Sequence, residues 1–379
     1  MQTSPRDPSA ASAALPPSPR PIMSTAILQR LSTLTLSIKH VNRLLRISDY
    51  MPFSIPSPSP TVGVSQVPTL FQEPYILTGY RPTGQDWSCY LFTLFQRHNE
   101  CLNVWTHLLA APILLIHWWA KVEALGFTLN AASLPLYLFL VSSLTYMFFS
   151  VVAHLLHSHC EHSHYIVFFL DYVGVAVYQY GCSLGHYFYS SEAAWRESIV
   201  GLLFLPGAAL LGWLSCLGCC ISKFRYQRPY PWQRKICQLI PTSAAYLLDI
   251  SPVVHRLFTV SWSQEPSLPF HALQIACFLL SAFFFSCPIP ERFFPGQCDF
   301  VGQGHQIFHV LLSLCTIFQL EALFQDYARR RDTMVEVFGE GRLWWACVGL
   351  PLLFLGCLIT ALLTMKHVKN NLTTTKKDK

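Results

Sequence analysis

The sequence is short of charge. Asp, Glu, Lys and Arg make up 12% of its 379 residues, where soluble domains carry ~25%. With 52% hydrophobic residues, that shortage excludes an ordinary soluble domain and points to lipid as the solvent. The 14 cysteines lack the regular spacing of a secreted disulfide framework. Most fall inside apolar runs, where a thiol packs as a small hydrophobe, so reduced, structural cysteines are expected. The first 70 residues have no charged segment leading into a short apolar one, and no cleavable signal peptide is expected. No internal repeat is apparent, and no nucleic-acid partner is expected.

What the chain does have is long apolar runs. Eight occur, near 102–120, 133–157, 165–189, 199–221, 236–258, 270–287, 305–327 and 343–366, each close to the ~20 residues that cross a bilayer as helix. The fold class expected is an all-α integral membrane protein: a bundle of eight transmembrane helices, with a seven-span core over 70–342 and an eighth span and basic tail over 343–379. The third and fifth runs are polar for spans and should face the bundle interior. Pro241 and Ser251-Pro252 should break the fifth. Ahead of the bundle, residues 1–22 are rich in Pro, Ser and Ala and read as disordered, and Met23 could be an alternative start. Within 23–69, Ile27, Leu31, Leu34, Ile38, Val41 and Leu45 form one stripe and Lys39, Arg43 and Arg46 another. This is a basic amphipathic helix suited to an anionic membrane face or to the protein's own inner surface, followed by a Pro/Ser-rich linker over 51–68.

Lys and Arg set the orientation. With the N-terminus inside, 19 of the 26 basic residues fall on the inner side and 7 on the outer. Both termini are therefore expected in the cytoplasm. Arg329, Arg330 and Arg331 dissent, since they fall in the outer loop between runs seven and eight.

Residues 302–315 read GQGHQIFHVLLSLC. His305 and His309 stand one helical turn apart and face the same way. In an eight-span chain, odd spans start on the N-terminal side and even spans end there. His154 ends the second run, Asp171 starts the third, and Glu100, Asn103 and His107 start the first. All seven residues therefore lie near one membrane face. Three histidines, two of them at i and i+4, suit a zinc site with three protein ligands and an open fourth position. Asp171 could orient a ligand, Ser150 lies one turn deeper than His154, and Glu100, Asn103 and His107 could form the surrounding layer. The spacing H-x3-H alone is a weak signal. His157, His159, His162 and His164 compete for the ligand role, although solvation of a loop is the plainer reading for them. His186, His255 and His271 map to the opposite face and read as satisfied interior or interface residues. Asp249 and Glu321 sit mid-span, where hydrogen bonding between helices is the bland reading and contact with a ligand the sharp one.

The set S-x3-H with a following Asp, HNE-x2-N-x3-H, and HQIFH after PGQCD resembles the progestin and adiponectin receptor family, over roughly residues 68–366. The stretches PYILTGYRPTG, HNECLNVWTHLLA, LDYVGVAVYQYG, YLLDISPVVHR and GQGHQIFH resemble its progestin-receptor branch, which an eighth span also fits. The resemblance implies zinc on His154, His305 and His309, with Asp171 as the acidic residue beside it and Ser150 as the motif serine. It implies a plasma-membrane progestin receptor acting through an inhibitory G protein and lowered cyclic AMP, with a role in oocyte maturation and membrane lipid as its surroundings. An apolar steroid slot needs one or two polar anchors, and Gln238, near the inner start of the fifth run, is a candidate donor to a steroid carbonyl. The alternative is a ceramidase-like, zinc-dependent lipid amidase with Asp171 as general base and Ser150 steadying the oxyanion. In a third reading the metal merely ties helices together.

Overall fold

The computed structural model describes residues 57–126, 128–226 and 230–377. The expected disordered extension and amphipathic helix lie outside the described residues. Among the described residues there are eight long helices: α1 (Cys101–Leu125), α2 (Leu134–Leu156), α3 (Glu161–Tyr189), α4 (Ile199–Arg225), α5 (Trp232–Thr259), α6 (Leu268–Ser286), α7 (Gly304–Phe338) and α8 (Glu340–Lys377). Seven of them are long and apolar enough to cross a membrane, α5 being the exception. The protein is a multi-pass, all-α membrane protein.

Helix α5 differs from expectation in two ways. It runs unbroken through Pro241 and Pro252. A proline removes one ladder bond, but inside a bundle neighbouring helices can accommodate the freed carbonyl. Here Gly218 of α4 has no side chain to bar the carbonyl of Cys237, the group that Pro241 frees. Second, Arg234, Lys235, Gln238, Asp249 and Arg256 make α5 too polar for lipid on all sides, which is why it falls outside the apolar set.

Helix α3 is the hub, packed against α2, α4, α5, α7 and α8. Its glycines make that possible. Gly174 lies against the backbone of Tyr146 and Gly181 against Ser142, both on α2, while Gly185 takes Leu323 of α7. Small residues at contact positions are how helices approach closely where water cannot drive them together. The 35 residues of α7 span about 52 Å, well beyond the ~30 Å hydrocarbon core, so one end projects.

That projecting end holds Arg329, Arg330 and Arg331. Arg329 bonds the carbonyl of Gln264 at 2.6 Å, Arg330 bonds Glu192 at 2.5 Å and the Ser191 carbonyl at 2.7 Å, and Arg331 bonds the Leu125 carbonyl at 3.1 Å. They lie in a helix rather than in a loop, and they tie down the connections of that face.

Residues 57–68, the described part of the expected linker over 51–68, fold together with the segment that follows up to residue 100. Val62 pairs with Tyr80, and Val67, Phe71, Ile76 and Tyr80 form a small core. Asp299 accepts from the backbones of Leu77 and Thr78 at 2.9 and 2.8 Å, joining this segment to the chain entering α7. Arg81 bonds the carbonyls of Leu155 and His154 at 2.6 and 2.7 Å, a cation at the C-terminus of α2, where the helix dipole favours one. Burial lowers its pKa to about 10, with Glu100 opposing, so it stays charged. All 14 cysteines are free thiols.

A candidate metal centre at one end of a cavity

His154, His305 and His309 come together from the end of α2 and the start of α7. Each offers a ring nitrogen, and these atoms lie within 4.8 Å of one another. The Nε2 atoms of His154 and His305 are 3.3 Å apart. The surroundings fix which nitrogen points inward. His154 Nδ1 donates to Glu100 Oε2 at 2.8 Å, and His309 Nδ1 donates to the Asn103 carbonyl at 3.1 Å. Both rings therefore turn Nε2 toward the cluster, the arrangement in which a carboxylate or carbonyl orients a metal-binding imidazole. Three imidazole nitrogens converging in this way fit zinc.

Glu100 is buried and also accepts from Asn103 Nδ2 at 2.6 Å. Burial alone would raise its pKa, but His154, His157 and the Asn103 amide hold it well below the usual carboxylate range. His107 lies flat against His309, with ring centroids 4.0 Å apart and planes 7° from parallel. Its two ring nitrogens have no hydrogen-bond partner among the described residues. Thr106 Oγ1 lies 3.1 Å from His309 Nδ1, a contact that sequence reasoning missed. His157 and His164 are buried, their Nδ1 atoms 3.3 Å apart. Solvation was the plainer reading for both, but the segment 57–100 folds over them, Phe71 against both rings. Only His162 of that group is exposed.

The cluster closes one end of a cavity of about 360 Å³, within the ~300–1,000 Å³ range of small-molecule sites. Ser150, Asp171, His107 and Gln238 line it near the histidines, and Leu239, Phe278, Phe285, Phe308 and Leu312 supply apolar wall. Asp171 has no hydrogen-bond partner among the described residues. Between α5 and α6, Tyr246 stacks on Phe278 with centroids 3.7 Å apart. Leu247 and Leu279, which also line the cavity, are exposed, so the cavity opens sideways toward lipid.

The far end is polar again. His186 Nδ1 lies 3.1 Å from Asp249 Oδ1, and its Nε2 receives Gln319 Nε2 at 3.0 Å. Gln274 Nε2 lies 2.7 Å from His271 Nδ1, and His271 Nε2 lies 2.9 Å from Asp326 Oδ2. Asp326 also takes Arg256 at 2.6 Å and the Ser190 hydroxyl at 2.6 Å. His186 and His271 are thus buried and satisfied, as is Asp249. His255 is only partly buried. Glu321 bonds Lys121 at 2.7 Å. Single glutamines in an apolar run give little sequence signal, and Gln274 and Gln319 were missed.

A multi-pass bundle with a histidine cluster at one end of an internal cavity defines the class. The description "Haemolysin-III related" matches residues 95–320, and the chain belongs to that family, the one its motifs resemble. Across 94% of its length it is 52% identical to the whole of "Membrane progestin receptor beta" of Homo sapiens. It is 51% identical, again over 94% of this chain and all of the relative, to the protein of that name from Sus scrofa. "Membrane progestin receptor alpha" of Homo sapiens is 49% identical over 81% of this chain and 87% of its own.

Proposed function

We propose that the protein is a plasma-membrane receptor for progestin steroids, with both termini in the cytoplasm and all eight helices crossing the bilayer. One observation carries the reading: a cavity of about 360 Å³, apolar along its walls and polar at its ends, opens toward lipid in a chain similar over 94% of its length to proteins named membrane progestin receptor beta. An apolar ligand dissolved in the bilayer reaches such a slot between α5 and α6. Gln238 then donates to a steroid carbonyl near the histidines. His154, His305 and His309 would hold zinc, oriented by Glu100 and Asn103 with His107 stacked behind. Zinc held there would supply Lewis acidity to an oxygen at that end of the cavity. Signalling through an inhibitory G protein, lowered cyclic AMP and a role in oocyte maturation complete the reading.

The test is saturation binding of a labelled progestin to the purified chain in lipid bilayers, with no other protein present. Saturable nanomolar binding is expected. Folded, zinc-loaded protein that binds none would overturn the reading. Orientation is tested separately at Asn371, in the tail sequon Asn371-Leu372-Thr373. A glycan there would place the tail outside.

The unpartnered carboxylate of Asp171 favours a second reading, a lipid amidase. Asp171 would take the proton of an attacking water and Ser150 would steady the carbonyl oxygen. Release of sphingoid base from ceramide by the wild type, abolished in Asp171→Asn, would establish it.

A further inference from the structure

The far half of the cavity contains two polar atoms that nothing among the described residues satisfies. The Tyr246 hydroxyl on α5 and Gln179 Oε1 on α3 are both buried without a hydrogen-bond partner, and both residues line the cavity. A buried polar group left without a partner costs the full desolvation of that group, and native structures rarely keep one without a use. Their neighbours are in a different state. Gln319 Oε1 accepts from Tyr178 at 3.1 Å, Ser183 Oγ donates to Asp249 Oδ1 at 3.0 Å, and His186 and Gln274 belong to the chain that reaches Asp326. That shell is locked, so the two orphans are held in place with their bonding capacity free.

The geometry points to a second polar subsite: we infer that the Tyr246 hydroxyl, with Gln179 beside the cavity, anchors an oxygen at the end of the ligand remote from the histidines. The ligand class is a rigid, flat, apolar skeleton with a carbonyl or hydroxyl at each end. Gln238 and Tyr246 stand eight residues apart on α5, about 12 Å along the helix axis, a span that a fused four-ring skeleton fills. The Tyr246 hydroxyl donates to a carbonyl or hydroxyl oxygen, and a hydroxyl also donates to Gln179 Oε1. The Tyr246 ring lies flat on Phe278, which fixes the direction of its hydroxyl. The anchor therefore selects for the ligand's length as well as its polarity.

This inference rests on the progestin reading and is tested with progesterone and its two analogues lacking one ketone each. All three are measured on purified wild type, Tyr246→Phe and Gln238→Ala chains in bilayers. Tyr246→Phe keeps the ring stack and removes no protein hydrogen bond, so its melting temperature should equal that of the wild type. It should weaken progesterone about tenfold. It should weaken one single-ketone analogue equally and leave unchanged the analogue that lacks the far-end oxygen. Gln238→Ala should show the opposite pattern. If Tyr246→Phe affects both analogues alike, or neither, the subsite is overturned while the receptor reading stands. Wild type that binds no progesterone overturns the receptor reading and the subsite together.

Discussion

Consider replacing Glu100 with glutamine. The side chain keeps its volume, so the cavity walls do not move. What changes is the bond to His154 Nδ1, 2.8 Å long with both partners almost sealed from solvent. Bonds to a charged group contribute ~1.5–3 kcal/mol and neutral ones ~0.5–1.5, so the exchange removes about 1 to 1.5 kcal/mol of the bias that turns His154 Nε2 inward. That corresponds to roughly a tenfold loss of zinc affinity, the lower end of the ~10–100-fold seen for such orienting partners. Glu100→Ala removes the bond altogether and should approach the hundredfold end. His309 provides an internal contrast, because its Nδ1 faces the Asn103 carbonyl, which no side-chain change deletes, as well as the Thr106 hydroxyl. The assay is competition for zinc against a chromophoric chelator in detergent, with Glu321→Gln as control. Glu321 is engaged with Lys121 and His117 and should leave zinc affinity unchanged. If Glu100→Gln and Glu100→Ala both stay within threefold of wild type, Glu100 does not orient a metal ligand.

Asp326→Ala removes a fully buried carboxylate that meets Arg256, His271 and Ser190. Breaking a buried pair costs ~3–5 kcal/mol. Glu265 still reaches Arg256 at 2.6 Å, so a loss near 3 kcal/mol is expected in equilibrium unfolding, and less than 1 would refute the account. Gly181→Ala would drive a methyl into Ser142 and should lower stability by ~1–3 kcal/mol, read as a fall in melting temperature with the helix content retained. Gln238→Ala should weaken progestin binding in a saturation assay, and an affinity within twofold of wild type would remove Gln238 from the site.

Helix positions were legible because apolar runs of span length leave few alternatives. The counting argument that put His154, His305 and His309 on one face needed only the direction of each span, and the structure brings those three within 4.8 Å. Other features depend on long-range contacts that no local pattern encodes. Pro241 reads as a helix breaker until Gly218 is seen beside the Cys237 carbonyl. His157 and His164 read as loop residues until the segment around Phe71 covers them. Arg329, Arg330 and Arg331 look like outlying charges in a loop until their carbonyl and carboxylate partners appear on three different segments. Gln179 and Tyr246 carried no signal at all, since an unsatisfied atom is a property of the packed structure.

The polarity of α5 bears on how the protein is made. A charged residue at the centre of an inserting helix costs ~2.5–3.5 kcal/mol, and α5 carries Asp249 within its length and Arg256 in its last turn. Asp249 finds its partners on α3, already synthesised. Arg256 meets Glu192, made before α5, and Glu265, made just after it, but completes its set with Asp326 on α7, 70 residues later. At ~5–20 residues per second the interval is roughly 4 to 14 s. Throughout that time the buried network is incomplete, because the bonds of Asp326 to Arg256, His271 and Ser190 form only once α7 is in place. The cavity is therefore completed late in biogenesis, and its outer wall takes shape only when the seventh helix docks.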